Sequence, residues 1–110
     1  MTDLPLYRID VSRTRNMSTV TLSGELDLAN RDDIRSHLLD ELAGPAIQHL
    51  IIDMAAVGFL DSTAVSILVT AYHHGREHGC RVSIARPSPQ VTQILTMTGL
   101  LDLFHHDALE

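Results

Sequence analysis

Ile47-Gln48-His49-Leu50-Ile51-Ile52-Asp53-Met54 carries a continuous branched apolar run, Leu50-Ile51-Ile52, of strand length and with polar residues on either side. A strand that is apolar at consecutive positions reads as covered on both faces, the situation of a central strand in a parallel sheet. The segment that follows, Val57-Gly58-Phe59-Leu60-Asp61-Ser62-Thr63-Ala64, leads into a helical period over Ser62 to His78. Ser66, Thr70, His73 and Glu77 form one stripe of that helix, and Val65, Leu68, Val69 and Tyr72 form the opposite one, so a single face is expected to be buried.

Before the central strand, Asn30 is placed to cap a helix from Arg31 to Ala43. Asp32 and Asp33 complement its positive end, Ile34, Leu38 and Leu42 recur every four residues, and Gly44-Pro45 stops it. Further toward the N-terminus, Leu4 to Ser12 alternates loosely and Thr19 to Leu28 alternates strictly, with Val20, Leu22, Leu26 and Leu28 on one side. The polar connection Arg13-Thr14-Arg15-Asn16 makes these two strands an antiparallel hairpin, and Gly24 breaks or ends the second. On the C-terminal side, Val82 and Ile84 alternate with Arg81 and Ser83 in a further strand. Ser88-Pro89 then supplies an N-cap and a first-turn proline for a helix that ends at Gly99, with Leu100 and Leu101 where a Schellman-type end places apolar residues. Two strands followed by alternating helices and strands give an α/β domain whose mixed, mostly parallel sheet has an N-terminal antiparallel edge hairpin and helices packed on it.

The chain of 110 residues has the length of one domain, residues 1–110, and 45% hydrophobic with 20% charged residues is a globular composition. Eight basic against 14 acidic residues leave a net charge of −6 with no basic cluster, which argues against direct nucleic-acid contact. The absence of a long apolar run and an acidic start argue against membrane insertion and export, and the single Cys80 fits a reducing, cytoplasmic setting.

Chemistry is concentrated where the central strand meets its helix. Ligands of open α/β sheets lie at the carboxyl ends of strands, and the first turn of a helix stabilises an anion such as a phosphate attached to a serine there. Asp61 or Ser62 also suits a plain N-cap. His74 and His78 are four apart on the same helix, but H-G-R-E-H lacks the glutamate of H-E-x-x-H and a distant ligand, so no metal site is expected; these histidines read as a solvated helix end and His105-His106 as a polar tail. Ser62 lacks the glycines of a nucleophile elbow, no glycine-rich nucleotide loop is present and Cys80 reads as a core residue, so the chain is expected to be neither an enzyme nor a cofactor carrier.

Three segments taken in order, Leu22-Ser23-Gly24-Glu25-Leu26-Asp27, Phe59-Leu60-Asp61-Ser62-Thr63 and Met97-Thr98-Gly99-Leu100, resemble the motifs of STAS domains, the family of bacterial anti-sigma factor antagonists. The resemblance implies a binding module that engages an anti-sigma factor serine kinase, releases its sigma factor in a stress response by partner switching, and is turned off by phosphorylation at Ser62, with Thr63 as the neighbouring hydroxyl. It implies a recognition surface of Glu25, Asp27, Phe59, Leu60, Asp61, Ser62, Thr63 and Ser66, and a phosphatase that resets the serine. Self-association as a homodimer is left open. Ala64 stands where the family usually has glycine, and its methyl is expected to stiffen the first turn and narrow a kinase's approach. The same resemblance also accommodates an unphosphorylated scaffold or transporter-associated module in which Ser62 is only a cap.

Overall fold

The computed structural model describes residues 6–108, and side chains as far as Phe104. Strand β1, Tyr7–Thr14, turns through Arg15 and Asn16 into β2, Met17–Leu26. A 3-10 turn, Leu28–Asn30, precedes helix α1, Arg31–Leu42, and β3, His49–Leu60, leads into α2, Ser62–Glu77. The chain closes with β4, Arg81–Ala85, helix α3, Pro89–Met97, and helix α4, Leu101–Ala108. The sheet has the order β1-β2-β3-β4, with β1 antiparallel to β2 and the other pairs parallel. The expected class, the central position of the Leu50 strand and the edge hairpin are all present.

Several local expectations need correction. The first strand starts at Tyr7 and continues through Arg13 and Thr14, which pair with Ser18 and Met17; Leu4 lies outside the described residues. The hairpin turn is therefore the two residues Arg15-Asn16, with Arg15 at φ 53°. Gly24 lies inside β2, at φ +90°, where an added Cβ would stand 2.0 Å from the Leu6 carbonyl oxygen. Only glycine lets β1 approach so closely at that φ. Leu28 has left the strand alternation and is 62% exposed on the 3-10 turn.

Strand β3 is longer than the apolar run suggested. Two register irregularities against β2, one between Thr21 and Ser23 and one between Gly24 and Glu25, each insert one extra residue in β3 and carry it through Ala55, Ala56 and Gly58 to Leu60. It is also not covered equally on both faces. Leu50, Ile52 and Met54 are fully buried with Val20, Leu22, Val82 and Ile84, whereas Ile51 is half-buried and flanked by Thr19 and Ser83. The helix-facing side of the sheet holds the core, to which α1 contributes Ile34, Leu38 and Leu42 and α2 contributes Val65, Leu68 and Tyr72. Ser66, Thr70, His73 and Glu77 are exposed as the helical period required, while Val69 is only half-buried.

Ser88 caps α3 by accepting the Val91 N–H at 3.2 Å. Gly99 at φ 74°, with Leu100 N–H on Leu95 O (2.8 Å) and Gly99 N–H on Thr96 O (3.2 Å), makes the Schellman end. The chain then forms α4 where a tail was expected. Phe104, 1% exposed and edge-on to Tyr72 at 5.6 Å, anchors it. His105 and His106 lie on α4, and their side chains are outside the described residues.

Candidate functional site

The second bulge sets the direction of the side chains at the end of β3. Glu25 pairs with Phe59 and Leu26 with Leu60. Leu26 and Leu60 point into the core, at 1% and 3% exposure, and Phe59 is 49% exposed beside exposed Glu25. Leu60, expected on a recognition surface, is thus a core residue that fixes the position of its neighbours.

Asp61 is the N-cap of α2. Its Oδ1 accepts the Ala64 N–H at 2.9 Å, Oδ2 accepts the Leu28 N–H at 3.2 Å, and its own N–H donates to Leu26 O at 3.2 Å. Both carboxylate oxygens are therefore occupied in joining the end of β2 to the start of α2, and the capping role falls to Asp61 rather than Ser62. Ser62 is exposed at the first helical position, and among the described residues no partner engages its hydroxyl. Thr63 is half-buried and Ser66 is exposed one turn on. Ala64 is 2% exposed, and its methyl packs into the core.

The turn between β2 and α1 is self-bonded. Asp27 Oδ1 accepts the Ala29 N–H at 3.0 Å, and buried Asn30 accepts the Asp27 N–H through Oδ1 at 3.0 Å while donating from Nδ2 to Glu25 O at 2.7 Å. This reciprocal capping box holds the 3-10 turn. Asn30 was expected to cap α1 with its side chain; its amide is instead spent on this turn and makes no such cap bond.

Arg31 and Arg35 of α1, one turn apart, face Ser62, Thr63, Ser66, Ile67 and Thr70 of α2 across an open cleft of about 520 Å³. Two guanidiniums and four serine or threonine hydroxyls along the first turns of α2, at its positive end, suit a phosphate group. Sequence reasoning missed three contributors: Leu28, taken for a core position because it continued the strand alternation, and Arg31 and Arg35, whose four-residue spacing was the available signal. Of the expected recognition residues, the structure brings Glu25, Asp27, Phe59, Asp61, Ser62, Thr63 and Ser66 to one end of the fold.

The family model of the STAS domain matches residues 8–109. The chain belongs to the STAS domain family. Among curated STAS relatives, it is 24% identical over 96 residues to an anti-sigma F factor antagonist of Paenibacillus polymyxa, covering 87% of this chain and 82% of the relative. An anti-sigma factor antagonist from Mycobacterium paratuberculosis superimposes with a TM-score of 0.75 at 28% identity, covering 89% of this chain and 82% of the other. The anti-sigma factor antagonist SpoIIAA in its unphosphorylated form superimposes with a TM-score of 0.75 at 23% identity, covering 84% of this chain and 82% of the other. The STAS expectation from the three motifs is therefore met in family and in fold. Among the described residues no helix is long and apolar enough to cross a membrane.

Proposed function

We propose that this STAS domain is a cytoplasmic anti-sigma factor antagonist, a binding module without an activity of its own, that engages an anti-sigma factor serine kinase and is switched off by phosphorylation of Ser62. The observation that carries the reading is the exposed, unengaged Ser62 hydroxyl at the first position of α2, with capping delegated to Asp61. A serine needed as a cap could not be modified without loss of the helix end; this one can.

In the unmodified state the partner meets Phe59 and Leu28, two exposed apolar side chains, rimmed by Glu25, Asp27, Thr63 and Ser66. An apolar centre with a polar rim is the usual anatomy of a binding patch. The kinase transfers the γ-phosphoryl group of ATP to Ser62: the Oγ–P bond forms, the hydroxyl proton passes to a kinase base and ADP leaves. The new group adds roughly −1.5 to −2 charges at pH 7 next to Asp61. Arg31 and Arg35 offer it pairing within the domain, while burying it at the patch costs desolvation, so the phosphorylated form leaves the partner. A phosphatase restores the hydroxyl.

The test is a binding titration of candidate anti-sigma factor kinases against the wild type, Ser62→Ala and Ser62→Asp. The alanine variant is expected to bind like the wild type, and the aspartate variant at least tenfold more weakly, a change of about 1.4 kcal/mol. Equal binding by all three excludes the switch and favours an unphosphorylated scaffold.

A further inference from the structure

We propose that the far end of α2 carries a surface site for a divalent transition-metal ion, built by His74, Glu77 and His78. The metal-ligating atoms of these three side chains all lie within 4.8 Å of one another, and among the described residues no other three such side chains come together in this way. The sequence places Glu77 close to both histidines and offers no distant ligand, so the third ligand is the local one. Glu77 supplies it, because positions i, i+3 and i+4 of a helix share one face.

The imidazoles are close enough that rotation about their side-chain bonds brings a nitrogen of each to one ion. The rings of His74 and His78 lie side by side, with centroids 4.3 Å apart and planes 25° from parallel. His78 Nδ1 sits 2.8 Å from the His74 carbonyl oxygen, which can only accept, so in the neutral ring Nδ1 carries the proton and Nε2 has its lone pair for a metal. The adjacent cation, Arg76, is drawn away to the Tyr72 hydroxyl at 3.2 Å. His74 and His78 also border a cleft of about 310 Å³ shared with Ala43 and Gly44 at the end of α1. The negative ends of α1 and α2 therefore meet at this place and favour a cation.

Two imidazoles and one carboxylate select a borderline ion such as Zn²⁺, Ni²⁺ or Cu²⁺ over Mg²⁺ or Ca²⁺. Tetrahedral zinc with three protein ligands keeps its fourth position for water. The site lies fifteen residues along α2 from Ser62, roughly 22 Å at 1.5 Å per residue, so it stands apart from the proposed switch.

The experiment is a calorimetric titration of the untagged full chain with ZnCl₂, and with MgCl₂ in parallel, accompanied by thermal unfolding with and without zinc. The wild type is expected to bind one equivalent of zinc with a rise in melting temperature, and to show no magnesium binding. His74→Ala and His78→Ala should each weaken zinc binding at least tenfold, Glu77→Gln should weaken it several-fold, and His73→Ala should leave it unchanged. His73, Glu77 and His78 are exposed and His74 is half-buried, and circular dichroism checks that each variant is folded. Absence of zinc binding overturns the proposal. So does binding that survives in both His74→Ala and His78→Ala, which would place the ion elsewhere in the chain.

Discussion

The Leu28 N–H donates to Asp61 Oδ2 at 3.2 Å, a bond across 33 residues that ties the turn after β2 to the first turn of α2. Through it, one carboxylate positions both the loop bearing Glu25, Asp27 and Leu28 and the helix end bearing Ser62. The surface proposed for recognition is thereby held together by a hydrogen bond within the domain.

Asp61→Ala is accordingly expected to lower stability by about 1 kcal/mol through loss of the helix cap, and to weaken partner binding beyond that because the Leu28 turn is released. Asp61→Asn retains an accepting oxygen and should recover most of the stability. Urea unfolding of the three proteins checks this; equal stability of the alanine variant would contradict the capping role.

Phe59 and Leu60 are adjacent yet should separate cleanly by substitution. Leu60→Ala opens a hole in the core and is expected to cost about 2–5 kcal/mol. Phe59→Ala removes a half-exposed ring and should change stability by less than about 1 kcal/mol while weakening partner binding tenfold or more. Leu28→Ala should behave like Phe59→Ala. If Phe59→Ala and Leu28→Ala both bind as the wild type does, the patch is in the wrong place.

The sequence made the architecture legible because its periodicities were clean: the branched run at Leu50 to Ile52, the two stripes of α2, and the cap and stop signals of α3. It was less informative where pairing rather than pattern decides. Ala55, Ala56 and Gly58 carry no strand signal, and β3 continues through them because β2 lies alongside with two bulges. Leu28 continued the alternation of β2 by type, but Asp27 and Asn30 close a capping box and turn the chain before it. Helix α4 was hidden behind the stop at Gly99, which ends one helix without preventing another. At the site, the motif around Asp61 and Ser62 was visible, whereas the division of labour between them depended on hydrogen bonds that no spacing encodes.

Away from the site, Glu41 of α1 gives the domain a pH-dependent contribution to stability. Glu41 is buried, accepting from Ser18 Oγ at 2.6 Å, from Arg13 Nε at 2.8 Å and from Arg13 Nη2. The Arg13 hydrogen bonds chiefly hold its carboxyl below the ordinary value of 4.5, against the opposing effect of burial, and Ser18 assists. A carboxyl more acidic in the folded state stabilises the fold above its ordinary value and loses that contribution as the pH falls through the lowered one. The stability gap between the wild type and Glu41→Gln is therefore expected to be full near pH 7 and to shrink below about pH 4.5. A gap that stays constant between pH 7 and pH 3 in denaturant titrations would contradict this origin.

The central claim is that Ser62 is a regulated phosphorylation site, and peptide mass spectrometry of the protein isolated from its native cells, with and without stress, tests it most directly. Phosphate on the Asp61-Ser62-Thr63 peptide, assigned to Ser62 by fragmentation and changing in occupancy with conditions, is the expected result. An unmodified peptide under every condition, with candidate anti-sigma factor kinases also failing to phosphorylate the purified protein, would contradict it.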